Sequence, residues 1–167
     1  MTDGSCNAEL DGFLEPRKTS KEGSFGVVVK RTIGLLSETY NDAHQADLKR
    51  LSAQPIDMVV VNLYPFQQTV AKEGVTPEMA RTNIDIGGPC MVRASAKNYL
   101  RVASVTDPLD YASIASELAD HGGTIGFDTR FKLMKKAFAH TAAYDTAISQ
   151  FFASRTWEEV DRTYDQH

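Results

Sequence analysis

Ile56-Asp57-Met58-Val59-Val60-Val61-Asn62-Leu63 is the stretch on which the fold turns. Met58 to Val61 is apolar and does not alternate with polar residues. Such a strand suits a sheet covered on both faces, as parallel sheets are. Upstream, Pro55 breaks the chain, and Asn41-Asp42 predicts the start of a helix from Ala43 to about Ser52, with Leu48 and Leu51 inward. Downstream, Tyr64-Pro65-Phe66 ends the strand, and a short helix is expected from Phe66 to Lys72. Thr76-Pro77-Glu78 reads as a capped helix start reaching about Arg81.

Asn83-Ile84-Asp85-Ile86-Gly87-Gly88-Pro89 is a turn into a helix expected over Cys90 to Leu100. Val102 to Val105 is the next strand, Asp107-Pro108 caps a helix from Leu109 to Ala119, and Gly122-Gly123 closes that unit. From Asp128 to Ala153, Phe131, Met134, Phe138, Thr141, Tyr144 or Asp145, Ile148 and Phe152 recur at three- and four-residue steps, which predicts one long helix with a packed face. Phe25 to Arg31 is a further candidate strand. Strands alternating with helices argue an α/β fold with a mainly parallel sheet. The strands are few for such a sheet, so part of the domain is expected either to be missing or to come from a partner. Residues 1–24 read as an irregular segment, 25–153 as the α/β domain and 154–167 as a tail carrying Trp157, either a short docking helix or a frayed end.

The 167 residues are 42% hydrophobic and 24% charged, a balance that builds a core and excludes a wholly disordered chain. A formal net charge of -4 argues against a broad nucleic-acid surface. The apolar run is too short to cross a bilayer, so no membrane partner is expected. The N-terminus lacks the pattern of a secretory signal, and Cys6 and Cys90 lack metal-ligand or disulfide-framework spacing. The four histidines, His44, His121, His140 and His167, are scattered. No metal site is expected, and a reducing, cytoplasmic compartment fits best.

Open parallel sheets bind ligands beyond the carboxyl ends of their strands. Asn62 and Tyr64 stand at such an end, either as ligand groups or as an ordinary strand terminus before a proline turn. Asp85-Ile86-Gly87-Gly88 offers two small residues for close backbone approach and free N–H groups at a helix start, or else is a plain capping turn. Arg93 and Lys97 share one helix face. Usually that is a solvated stripe; a functional role needs Lys97 directed over the sheet rim toward Tyr64 and Asp85, with Asn98 adding an amide. A lysine paired with a carboxylate there can donate or shuttle protons. Arg17-Lys18-Thr19 reads as a basic loop. His140, within Lys135 to Asp145, reads as a satisfied interior histidine rather than a base.

Three segments, VVVNLYPF, NIDIGGP-MVRASAKN and KAFAHTAAYD, in this order and spacing, resemble the IMP cyclohydrolase domain of the bifunctional purine biosynthesis enzyme whose other half is a transformylase. The likeness covers roughly Pro55 to Phe152. Upstream, Asp11-Gly12 and Arg17-Lys18-Thr19 loosely match the family's Asp-Gly-Arg-Val-Lys-Thr-Leu-His-Pro segment, with Ser20-Lys21 in place of Leu-His, and Gly34-Leu35-Leu36 resembles its following Gly-Gly-Ile-Leu. The resemblance implies a methylglyoxal-synthase-like three-layer α/β domain with its first strands missing. It implies closure of formylaminoimidazole carboxamide ribotide to IMP, with no cofactor and no metal. By matching position it makes Lys18, Tyr64, Asp85 and Lys97 the catalytic groups. Thr19, Asn62, Leu63, Pro65, Phe66, Ile86, Gly87, Gly88 and Asn98 become the substrate-binding groups.

The family's Ser-Thr-Gly-Gly-Thr turn, which grips the substrate phosphate, is not in this sequence. The expectation is therefore a phosphate grip from another polypeptide, either a separate N-terminal cyclohydrolase fragment or a transformylase chain, together with self-association. The rival reading is a non-catalytic assembly or nucleotide-sensing subunit that keeps the fold. A methylglyoxal-synthase-like phosphate lyase is the third.

Overall fold

The computed structural model describes residues 42–50, 52 and 55–164. The strand expected over Phe25 to Arg31, and Lys18, Thr19, Asn41 and Leu51, lie outside the described residues.

The elements, in order, are α1 (Asp42–Arg50), β1 (Met58–Val60), α2 (Phe66–Val70), α3 (Pro77–Thr82), α4 (Gly87–Lys97), β2 (Ala103–Val105), a 3-10 turn (Pro108–Asp110), α5 (Tyr111–Asp120), α6 (Phe127–Ala153) and α7 (Trp157–Tyr164). β1 and β2 pair in parallel, with Met58 opposite Ala103, Val59 opposite Ser104 and Val60 opposite Val105. The α/β arrangement with a parallel sheet is as expected from sequence. The strand read over Ile56 to Leu63 is shorter, because its ladder spans only the three residues β2 offers. One further bond, from Val61 N–H to Val105 O at 3.0 Å, extends it.

Helices cover both faces of the pair. On one face Ala103 and Val105 pack with Ile114 of α5 and Leu133 of α6, with Met58 against them. On the other, Val59 and Val102 meet Met91 and Ala94 of α4. Ser104 also points to α4, and its hydroxyl accepts from the Ser95 hydroxyl at 2.8 Å, so two buried polar residues satisfy each other. Coverage is not complete: Val60 is 52% exposed, which corrects the expectation of a strand buried throughout.

A third cluster sits beyond the sheet. Phe66 of α2 is 1% exposed and meets Tyr144 and Phe151 of α6 edge-to-face, each with ring centroids 6.1 Å apart. Thr76 caps α3 as its spacing predicts, accepting from Met79 N–H at 3.2 Å. Asp107 Oδ1 accepts from Leu109 N–H at 2.9 Å and starts the 3-10 turn ahead of α5. Gly122 and Gly123 have φ of 61° and 85°, the left-handed conformation that glycine adopts without strain, and they turn the chain from α5 toward α6. On α6 the buried residues are Leu133, Ala137, Thr141, Tyr144 and Phe151. The expected face is therefore rotated: Phe131 and Asp145 are exposed, while Met134, Phe138, Ile148 and Phe152 flank it, partly buried. The tail forms α7, fastened by the Tyr164 hydroxyl donating to Glu78 Oε2 at 2.7 Å.

Among the described residues, no helix is long and apolar enough to cross a membrane.

Candidate functional site

β1 and β2 run side by side, so their carboxyl ends open onto one rim. Asn62 and Tyr64 follow β1 there, and Thr106 follows β2. The chain returns to this rim at Asp85, immediately before α4. Asp85 Oδ1 accepts from Gly88 N–H at 2.8 Å, and Oδ2 accepts from Tyr64 N–H at 3.4 Å. One carboxylate thus ties the exit of β1 to the start of α4, where the helix dipole also favours negative charge. A Cβ on Gly88 would stand 2.5 Å from Asp85 Oδ2 and 2.6 Å from Leu63 Cδ2, so any side chain there would displace the Asp85 carboxylate and the Leu63 tip. The turn is a capping turn, as the plainer reading had it, but one that binds two separate segments. The helix-start amide at Gly88 is taken by Asp85 itself. The helix also begins at Gly87, two residues before Pro89, rather than at Cys90.

The backbone N–H of Asp85 donates to the Tyr144 hydroxyl at 2.8 Å, and that hydroxyl donates in turn to Asn83 O at 3.4 Å. Burial pushes the Tyr144 phenol above its ordinary pKa. Asn62 Nδ2 donates to the Tyr111 hydroxyl at 3.1 Å. The Tyr64 ring is 56% exposed and stands at the mouth of a recess of about 260 Å³. Its other walls include Pro65, Phe66, Thr106, His140 and Ala143. Asn62, Leu63, Tyr64, Pro65 and Phe66 therefore share one pocket wall, and Asp85, Gly87 and Gly88 stand behind it. Ile86 is largely exposed beside them.

Lys97 and Asn98 are not part of this group. α4 is eleven residues long, and at about 1.5 Å per residue its last residue, Lys97, sits roughly 16 Å along the axis from the Asp85 end. Arg101, just beyond, donates to Ile56 O and to Asp57, residues that precede β1. The end of α4 therefore lies at the amino edge of the sheet. Lys97 is exposed there, and Asn98 is buried, 5% exposed, in the turn into β2. A helix that leaves the carboxyl rim and feeds a parallel strand must run back to the opposite edge, and this separates Lys97 from Tyr64 and Asp85 within the chain.

The sequence reading missed Thr106, Tyr111 and Tyr144. Thr106 was legible as the counterpart of Asn62 after the second strand, and Tyr144 as a polar tip on the packed face of α6. Among the described residues no cluster of His, Cys, Asp or Glu could hold a metal ion.

Comparison with known proteins covers nearly the whole chain. The MGS-like domain family matches residues 21–90, and the AICARFT/IMPCHase bienzyme family matches residues 95–167. The chain is 47% identical over 137 residues, 80% of its length, to the bifunctional purine biosynthesis protein PurH of Listeria monocytogenes serotype 4a. It is 49% identical over 125 residues to the PurH of Listeria welshimeri serovar 6b. It spans only about a quarter of these relatives, 27% and 24% of their lengths. A solved structure titled "Crystal structure of ForH" superposes with a TM-score of 0.65 at 29% identity, over 73% of this chain and 62% of that one. The chain thus joins an MGS-like region to an AICARFT/IMPCHase region and is a relative of PurH, as the resemblance in its three motifs implied.

Proposed function

We propose that this relative of the bifunctional purine biosynthesis proteins acts in purine biosynthesis through its carboxyl-rim site, closing formylaminoimidazole carboxamide ribotide to IMP. The observation that carries the reading is the Asp85 clamp. It ties Tyr64 and the start of α4 together beside a recess with apolar and polar sides. At about 260 Å³ the recess is below the roughly 300–1,000 Å³ of drug-sized ligand pockets. It suits the heterocycle of the substrate better than a whole nucleotide, so the phosphate would be gripped elsewhere, by another polypeptide or by residues outside those described.

In the reaction the carboxamide nitrogen attacks the formyl carbon and loses a proton. The carbonyl oxygen gains charge and takes up a proton to become a hydroxyl; a second proton then carries it off as water while the formylamino nitrogen gives up its own proton and the C=N bond of the new ring forms. Tyr64, lining the recess, offers a phenol as donor to that oxygen, and a preorganised donor acts on charge as it develops. Asp85 holds the wall in place with two accepted hydrogen bonds and keeps lone pairs for a third partner. Because ring closure is intramolecular, holding the formyl and carboxamide groups face to face in a narrow recess contributes much of the acceleration. Lys18 and Lys97 are the ammonium groups that the resemblance adds.

The placement of Lys97 at the far edge of the sheet favours a second reading, a subunit that binds purine nucleotide without converting it. The test is ring closure followed by IMP absorbance, with the full chain alone and with a cyclohydrolase fragment carrying the phosphate turn. Turnover in either arm, lost in Tyr64→Phe, supports the enzyme. Calorimetric binding of IMP with no turnover in both arms supports the second reading.

A further inference from the structure

α6 carries three polar side chains at four-residue steps along the rim, Lys136, His140 and Tyr144, which therefore share one side of the helix. The outer two are engaged. Lys136 Nζ pairs with Asp107 Oδ2 at 2.7 Å and Asp110 Oδ2 at 2.8 Å, after β2. Tyr144 is bound to the Asp85 turn. His140, between them, lines the recess with Asn62, Tyr64 and Thr106, and its Nε2 is buried without a hydrogen-bond partner.

This corrects the expectation of a satisfied interior histidine. Buried polar atoms nearly always find partners, so an unpaired one asks for a reason. Two other buried nitrogens lack partners among the described residues, Arg101 Nε and Arg155 Nε. Both belong to guanidinium groups engaged in other ways, Arg101 with Asp57 and Ile56, Arg155 over the Phe151 ring at 4.4 Å. Neither lines the recess. His140 alone of the three pairs an unsatisfied atom with a place on a ligand-sized hollow.

We infer that His140 is a ligand-binding residue of this site, its imidazole turning from the sealed position that leaves Nε2 unpaired so that a ring nitrogen makes a hydrogen bond to a polar atom of the heterocyclic ring of a bound purine nucleotide. The inference rests on the carboxyl-rim reading above and extends it to the opposite wall. An imidazole suits the position because one nitrogen can donate or accept according to tautomer. The surrounding walls, Tyr64, Pro65 and Ala143, offer apolar contact to a ring, while Asn62 and Thr106 supply further polar contact.

The experiment follows the His140 imidazole signals of the full chain by NMR, assigned by their loss in His140→Gln, during titration with IMP and separately with ribose 5-phosphate. Ring closure is measured in parallel. The expected result is a saturable shift with IMP and none with ribose 5-phosphate. His140→Ala should raise KM about tenfold, the equivalent of one hydrogen bond, with kcat within about twofold and the melting temperature unchanged. His140→Gln should recover part of the loss. Turnover with an unmoved imidazole overturns the role of His140 and leaves the reaction standing. A moving imidazole without turnover upholds the contact and removes the reaction. An equal shift with ribose 5-phosphate overturns the assignment to the ring, and an unmoved imidazole without turnover overturns contact and reaction together.

Discussion

The two edges of the same short sheet use their polar residues in opposite ways. At the amino edge two arginines are bound to main-chain oxygens and to one carboxylate. Arg130 donates to Tyr99 O and Leu100 O at 3.1 Å each, and also to Ile125 O, while Arg101 holds Ile56 O and Asp57. These bonds close the turns from α4 into β2 and from α5 into α6. At the carboxyl rim, by contrast, Tyr64 stays half exposed, His140 keeps an unpaired nitrogen, and the Asp85 carboxylate is aimed at backbone amides that shape a recess. One edge is an anchor and the other is an open wall. Two strands of equal length, joined in parallel, are enough to create that polarity.

The comparison is sharpest where the rim meets the core. Phe66→Ala should remove the ring that supports Tyr144 from below and destabilise the chain by about 3–5 kcal/mol, read as a fall in the urea midpoint. A loss under 1 kcal/mol would mean that the recess floor is not part of the core. Next in size, Tyr64→Phe should lower ring-closure kcat about a hundredfold with an unchanged melting temperature. Arg130→Ala should do the reverse: about 2 kcal/mol of stability lost with its charged hydrogen bonds, and nucleotide binding untouched once the protein is folded. If Arg130→Ala weakened IMP binding while Tyr64→Phe did not, the assignment of the two edges would be inverted.

Much of this layout could be read in the residues, and what could not has physical causes. The apolar run at Met58 to Val61 announced a buried parallel strand, and Thr76 and Asp107 marked their turns, because caps are local. The length of β1 was not local: it depends on where β2 stops. The start of α4 was hidden because Gly87-Gly88 is a poor helix opening by propensity, and only the Asp85 carboxylate, reaching Gly88 N–H, stabilises it there. Lys97 enters the site only through the family resemblance; its shared face with Arg93 reads as a solvated stripe and says nothing about which end of the helix faces the strands' carboxyl side. Chain direction would have told: a helix after a rim turn ends at the other edge. His140 carried its clue in the step of four on either side, to Lys136 and Tyr144.

The smallest effect concerns pH. The Lys136 ammonium beside Asp107 holds that carboxyl below its usual range, and Asp107 and Asp110 hold Lys136 above its own. The Asp107 contribution is present above the unfolded carboxyl pKa and fades as pH falls through the lowered folded value. The Lys136 contribution is complete below the unfolded amine pKa and fades as pH rises through the raised one. Asp107→Asn should therefore give a shallower loss of melting temperature on acidification than the parent, with little change in IMP affinity near neutrality. An unchanged acid slope would show that the pair contributes nothing to folding.

The most direct measurement is a map of backbone amide shifts in the full chain as IMP is added. Perturbation gathered at Tyr64, Asp85, Gly88 and Thr106, with residues 98–101 still, is the result expected of an open rim and an anchored edge. Shifts centred on residues 98–101, or none at all at saturating nucleotide, would contradict it.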